Sequence, residues 1–155
     1  MTNRIRRLEP SDHDALVDIY RQAVLTSTAA LYTAAQQSAW ASQCEAIRPI
    51  LQQGSGFVSC NSSNQAVAFC LRDPADRIAL LYSHPNAQRR GHGGMLLATC
   101  ETEAANQGVS CLRTEASLIS QPLFHARAWR VSWREELLIA GVHFERFRMQ
   151  KQLGH

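Results

Sequence analysis

The stretch Gln88-Arg89-Arg90-Gly91-His92-Gly93-Gly94 separates an apolar run ending near Ser83 from a segment whose Leu96, Leu97, Cys100 and Ala104 recur at helical spacing. Three glycines within four residues let the backbone turn sharply and present successive N–H groups, unobstructed by Cβ atoms, at the positive end of the helix that follows. Such a turn is an anion nest, and pyrophosphate is its commonest guest. Arg89 and Arg90 add charge at its rim. The loop is not a Walker A motif, since no Gly-Lys-Ser/Thr follows, and not the dinucleotide fingerprint, since the strand before it belongs to a meander. Taken alone, the same glycines would also suit a plain tight turn.

Upstream, Gly56–Cys60, Gln65–Leu71 and Arg77–Tyr82 alternate with a period of two, separated by the polar turns Asn61–Asn64 and Asp73-Pro74. Strands joined this way make an antiparallel meander. Before it, Arg4–Leu8 reads as a first strand stopped by Glu9-Pro10, and two helices follow. The first starts at Ser11, whose hydroxyl pairs with Asp14 in a shortened capping box, and buries Leu16, Ile19, Tyr20 and Ala23. The second starts at Thr33, boxed with Gln36, and carries Trp40, Cys44 and Ile47 on one face until Pro49. Downstream of the loop, the helix ends at Gly108 and Cys111–Thr114 forms a strand. Leu118–Ala128 then makes a short helix, and Val131–Ile139 with Val142–Met149 a hairpin around Ala140-Gly141. Val142 and Phe144 share one parity in the last strand and Phe147 and Met149 the other, which predicts a bulge near Glu145 or Arg146. The order β-α-α-β-β-β-α-β-α-β-β defines an α/β fold with a mixed, mostly antiparallel sheet flanked by helices, one domain over residues 1–155.

Composition narrows the partners. With 45% hydrophobic and 7% aromatic residues the chain folds without special devices. A balance of 16 basic against 13 acidic side chains is too even for a dedicated nucleic-acid binder. No apolar run approaches the roughly 18 residues that span a bilayer, and none behind Met1–Arg7 could act as a signal peptide. The expected location is cytoplasmic, with no membrane partner. Cys44, Cys60, Cys70, Cys100 and Cys111 are odd in number, lack C-x-x-C spacing and mostly sit in apolar segments, as reduced core thiols do. Neither they nor the six histidines show metal-ligand spacing, so no metal is expected.

The loop in this setting resembles the GNAT superfamily of N-acetyltransferases, whose acetyl-coenzyme A motif Gln/Arg-x-x-Gly-x-Gly/Ala is matched by Gln88, Gly91 and Gly93. Leu81-Tyr82-Ser83-His84-Pro85 stands where the family's fourth strand ends, and Met95-Leu96-Leu97 begins its central helix. Thr114–Ser117 and Pro122–Trp129 extend the resemblance over nearly the whole chain, identifying it as a small single-domain member. The resemblance implies acetyl-coenzyme A as cosubstrate and a primary amine, small molecule or peptide, as acceptor, attacked directly through a tetrahedral oxyanion; it allows a homodimer.

It also implies roles. The amides of Arg89, Arg90, Gly91, His92, Gly93 and Gly94, with Gln88, would take the pyrophosphate. The backbone of Leu81, Tyr82 and Ser83 would hold the pantetheine arm beside Ser117 and Phe124, and the amide of Tyr82 or Ser83 would polarise the thioester carbonyl. Phe124 occupies the position of the family's usual general-acid tyrosine, so solvent or the adjacent His125 would protonate the departing sulfur. Glu115 and His84 are the candidate bases, Glu115 doubling as a substrate binder, and a water chain held by either is the alternative. Tyr32 and Trp40 are the acceptor-pocket aromatics, with Tyr20, Trp133 and Phe144 as further candidates. Lacking that tyrosine, the chain could instead be a non-catalytic acyl-coenzyme A binding or regulatory protein.

Overall fold

In the computed structural model, which describes residues 4–154, the first strand β1 (Arg4–Arg7) is followed by three helices, α1 (His13–Ser27), α2 (Ala34–Ala41) and α3 (Ile47–Gln53). The meander comprises β2 (Ser55–Cys60), β3 (Ala66–Arg72) and β4 (Arg77–Ser83), and the long helix α4 (His92–Asn106) follows. The chain closes with β5 (Cys111–Ala116), α5 (Gln121–Ala126), β6 (Arg130–Ile139) and β7 (Val142–Gln152). The sheet has seven strands in the order β1-β2-β3-β4-β5-β7-β6, antiparallel except between β4 and β5. This is the mixed α/β architecture and element order that the sequence predicts, with the second helical stretch broken into two pieces.

Both faces of the sheet are covered. Leu16, Ile19 and Val24 of α1, with Ile47 and Leu51 of α3, pack on Val58, Phe69 and Leu80. On the other face Leu96, Leu97, Cys100 and Ala104 of α4, with Phe124 of α5, pack on Cys70, Leu112 and Met149. The last turn of α4 closes as a Schellman motif, Val109 N–H to Ala104 O at 3.0 Å and Gly108 N–H to Ala105 O at 3.0 Å. All five cysteines are free.

Three local expectations differ. The first cap is not the Ser11–Asp14 pair: a 3-10 turn at Pro10–Asp12 precedes α1, Glu9 N–H donates to Asp12 at 2.8 Å, and Asp14 pairs with Arg48 at 2.7 Å. Pro49 does not stop a helix; α2 ends at Ala41, and Pro49 sits in the first turn of α3, where a missing N–H costs nothing. Thr33 and Gln36 do form the expected box at the start of α2. There is no bulge at Glu145 or Arg146. Phe144 faces Tyr32 and Ala39 on the α2 side while Phe147 and Met149 face α4, so both parities of β7 are apolar because both faces are covered. The register shift in that hairpin lies between Val131 and Trp133 of β6.

Buried charges brace these layers. Arg72 of β3, 2% exposed, reaches Glu103 at 2.8 Å and Gln107 at 2.7 Å on α4. Glu101 of α4 accepts from Arg127 at 3.0 Å, Trp129 Nε1 at 2.9 Å and Lys151 at 2.8 Å. Burial pushes the Glu101 carboxyl up, and these three donors pull it further down, below its ordinary 4.5. The bond from Arg7, aided by Arg72, lowers Glu103, and the bond from Arg6 lowers Asp12 below 3.8. Carboxylates depressed in the folded state stabilise it fully above their unfolded values, and that stability is lost as pH falls through the folded ones. The urea midpoint is therefore expected to hold down to about pH 5 and fall steeply towards about pH 3. An unchanged midpoint at the lower pH would show that these pairs contribute nothing.

Candidate functional site

The sheet splits next to the glycine loop. β4 and β5 run parallel and pair only at Arg77↔Arg113 and Ile78↔Thr114, then diverge. The phase of the β3–β4 ladder decides which peptide groups face the opening. His84 N–H donates to Val67 O at 2.7 Å, and hydrogen-bonded pairs alternate in an antiparallel ladder. With the register Phe69↔Tyr82 and Leu71↔Leu80, the peptide groups of Tyr82 and Leu80 point to β3, while those of Leu81 and Ser83 point into the gap. Gln88 Nε2 donates to the Ser83 carbonyl at 2.8 Å, fastening the loop to the end of the strand. That leaves the N–H of Ser83 and both polar groups of Leu81 as an unpaired strand edge, and it turns the Tyr82 amide away from the role of carbonyl polariser.

Beyond Gln88 the chain enters the left-handed region at Arg89 (φ 62) and again at Gly91 (φ 81), the N-cap of α4. Left-handed backbone at Gly91 is costly for any other residue type. At Gly93 a Cβ would lie 2.9 Å from Leu123 Cδ2 on α5, so even an alanine there would require the leucine tip to shift. Among the described residues, no backbone or side-chain acceptor takes the amides from Arg89 to Gly94. Arg89 and Arg90 are exposed at the rim. His92 turns inward instead. It is 4% exposed and its Nδ1 lies 2.7 Å from Ser59 Oγ on β2; burial, then Arg90, lowers its pKa. The loop thus offers amides and arginines to an anion while the His92 ring anchors it to the sheet.

A cavity of about 320 Å³ opens from this gap towards α1, α2 and the β6–β7 hairpin. Of the residues singled out from sequence, it gathers Tyr32, Trp40, Leu81, Tyr82, Glu115, Ser117 and Phe124. Tyr20 and Phe144 join them; Trp133 does not, standing 57% exposed on the edge strand β6. His84 and His125 lie outside the lining. His84 Nδ1 accepts from the Asn86 amide at 3.1 Å and caps a 3-10 turn, and His125 is exposed on α5. Phe124 is 2% exposed, packed edge-on against Trp129 with ring centres 4.9 Å apart. Glu115 is held by Arg77 at 3.0 Å and Arg148 at 3.6 Å, so its oxygens are already engaged.

One group has a larger part than sequence alone indicates. Tyr32, between α1 and α2, is 6% exposed, and its hydroxyl accepts the Leu118 N–H at 2.9 Å, where β5 has just ended. Because the oxygen accepts that bond, its own proton is free to point elsewhere. Burial raises the Tyr32 phenol above its ordinary 10, although the Leu118 bond lowers it, so the hydroxyl keeps its proton at neutral pH. No periodicity could reveal a contact across 86 residues. Among the described residues no cluster of His, Cys, Asp or Glu could hold a metal ion, and no helix is long and apolar enough to cross a membrane.

An open sheet split between parallel strands, with a glycine-initiated helix beside the split, defines the class. The chain belongs to the acetyltransferase (GNAT) domain family, whose model matches residues 18–153. Its fold is shared with a GCN5-related N-acetyltransferase from Rhodopseudomonas palustris at TM-score 0.90 and 26% identity, covering 99% of this chain and 97% of that one. YncA of Salmonella typhimurium, a putative acetyltransferase solved with its cofactor acetyl-CoA, superposes at TM-score 0.70 with 22% identity over 100% and 96% of the two chains. The PaiA N-acetyltransferase of Thermoplasma acidophilum, solved in complex with coenzyme A, gives 0.72 with 16% identity over 98% and 99%. No curated protein sequence matches the chain significantly.

Proposed function

We propose that this chain is an N-acetyltransferase, one domain over residues 1–155, that moves an acetyl group from acetyl-coenzyme A to a primary amine. The observation that carries the reading is the unpaired strand edge at Leu81 and Ser83, leading to the unpaired amides of Arg89–Gly94 at the start of α4. An extended amide chain ending in a pyrophosphate fits that pair of features: the strand edge offers β-type bonds and the helix start offers an anion site. Arg89 and Arg90 would neutralise phosphate charge, and Gln88 keeps loop and strand in register.

When bound, acetyl-coenzyme A supplies an activated thioester that a neutral amine attacks directly. The chain's own part is to place and to protonate. Ser83 N–H is the remaining backbone donor of the original pair for the acyl oxygen. Phe124 can only pack; Tyr32 takes over the proton, its hydroxyl fixed by Leu118 and facing the same cavity as Ser117 and Leu81. Glu115, engaged by two arginines, orients the strand ends and does not act as the base. The buried phenylalanine is also what favours the second reading, a non-catalytic acyl-coenzyme A binder, and Tyr32 is the feature that weighs against it.

Isothermal titration is expected to give micromolar binding of both acetyl-coenzyme A and coenzyme A and little of NAD or ATP. No saturation by either coenzyme A species up to millimolar concentration would overturn both readings. Gly93→Val should raise the cofactor Kd at least about tenfold, or roughly 1.4 kcal/mol, by crowding both Leu123 and the anion path. Equal Kd values for wild type and a folded Gly93→Val would remove the loop from the site.

A further inference from the structure

The acceptor end of the cavity combines two properties that together select a substrate. Its wall is a continuous aromatic cluster: Tyr20 and Tyr82 ring centres are 4.7 Å apart, Tyr82 and Trp40 6.5 Å, Trp40 and Tyr32 5.2 Å, and Tyr32 and Phe144 6.0 Å. Ile47 and Ile50 of α3 and Leu137 and Ile139 of β6 complete it. The second property is charge compensation. The lining holds four charged groups, Arg77, Glu115, Glu145 and Arg146, and every one has an opposite partner in the protein. Arg77 holds Glu115 at 3.0 Å, Arg134 holds Glu145 at 2.7 Å, and Arg146 is bonded to Glu135, which also takes Arg148 at 2.8 Å.

A cavity so arranged has no free carboxylate for an extra ammonium group and no free arginine for a carboxylate. A polyamine or an aminoglycoside would have to bury its additional charges against carboxylates that arginines already neutralise, and an amino acid would have to set its α-carboxylate against arginines already paired, so neither gains the full return of a bare opposite charge. An amine whose remainder is apolar meets neither obstacle. Its body removes aromatic and aliphatic wall from water, and burial disfavours the ammonium form, delivering the neutral nitrogen that acyl transfer requires. The available space, about 320 Å³ and shared with the acyl end of the cosubstrate, suits a small organic body.

We propose that the acceptor is a monoamine with an aromatic or branched apolar body and no second charge. The proposal rests on the acetyl-transfer reading for its chemistry, and on the compensated aromatic cavity for its selectivity.

The test uses the purified full chain with saturating acetyl-coenzyme A and follows thiol release. The probes are phenylethylamine, tryptamine, spermidine, kanamycin, phenylalanine and a short peptide with N-terminal alanine. Phenylethylamine or tryptamine should exceed each of the other four in kcat/KM by at least about tenfold. Any other ordering, equal rates included, overturns the proposal. Arg134→Ala, at an arginine whose side chain is 55% exposed, releases the Glu145 carboxylate and should shift the phenylethylamine to spermidine ratio about fivefold towards spermidine, the worth of one exposed charge pair. An unmoved ratio in the folded variant would show that charge compensation does not set the choice. Saturation-transfer NMR separates this inference from the reading beneath it. If coenzyme A fails to bind but phenylethylamine saturates and spermidine does not, the cavity's selectivity stands and acetyl transfer falls; if phenylethylamine does not bind although coenzyme A does, the proposal fails alone.

Discussion

Removing one oxygen from Tyr32 is expected to slow turnover by about a hundredfold, the loss usual for a positioned proton donor. Tyr32→Phe keeps the ring that packs on Trp40 and Phe144 and gives up only the hydroxyl held by the Leu118 amide. The cofactor Kd should be unchanged, since Tyr32 lines the cavity and none of the loop residues Gln88–Gly94 does. His125→Ala is the matching control: exposed on α5 and outside the cavity, it should leave kcat within about threefold of wild type. A Tyr32→Phe enzyme with wild-type kcat would return the sulfur's proton to solvent. A large loss in His125→Ala with intact cofactor binding would make the histidine the donor.

The second large effect is on stability. Glu101→Ala strips the shared acceptor from Arg127, Trp129 and Lys151, leaving the Trp129 Nε1–H, on a residue 1% exposed, without a partner. Loss of a buried acceptor with its charged partners costs about 3 kcal/mol, which for a chain of this size is about 10 °C in Tm. Glu101→Gln retains an acceptor for the indole and should recover part of that loss. If Glu101→Ala unfolds within about 2 °C of wild type, the cluster is ornamental to the fold.

What sequence reading reached, and what it missed, follows from the range of each interaction. The Gln88–Gly94 loop was legible because glycine spacing is a local statement about the backbone, and the meander because a period of two needs only neighbours. Ser11 looks like a cap in the sequence, but a 3-10 turn shifts the helix start past it, and Pro49 looks like a stop, but the first helical turn accepts proline. The apolar parities of β7 looked like a bulge for want of knowing that helices lie on both faces. The site suffered most from distance. Arg77 and Glu115 are 38 residues apart, and only the adjacency of β4 and β5 turns a candidate base into an occupied ion pair. Tyr32 is recognisable in the sequence as a pocket aromatic, but its bond to the Leu118 amide is not, because Leu118 follows a strand 86 residues further along the chain.

The two residue pairs between β4 and β5 also have a mechanical meaning. They divide the sheet into a leaf of β1 to β4 and a leaf of β5 to β7, sewn among the described residues by the shortest ladder, with the Arg77–Glu115 pair, the Thr114 hydroxyl on the Ile78 carbonyl and helix packing as further ties. A clasp of this kind is weakest along its own seam. Any extended molecule that binds the Leu81–Ser83 edge from within the seam lends stiffness to both leaves at once, acting as a removable strand. By mass action a ligand at a hundred times its Kd adds about 2.7 kcal/mol to the folded state. The cell's supply of such a ligand would then set how tightly the protein is held together, as well as how often it turns over.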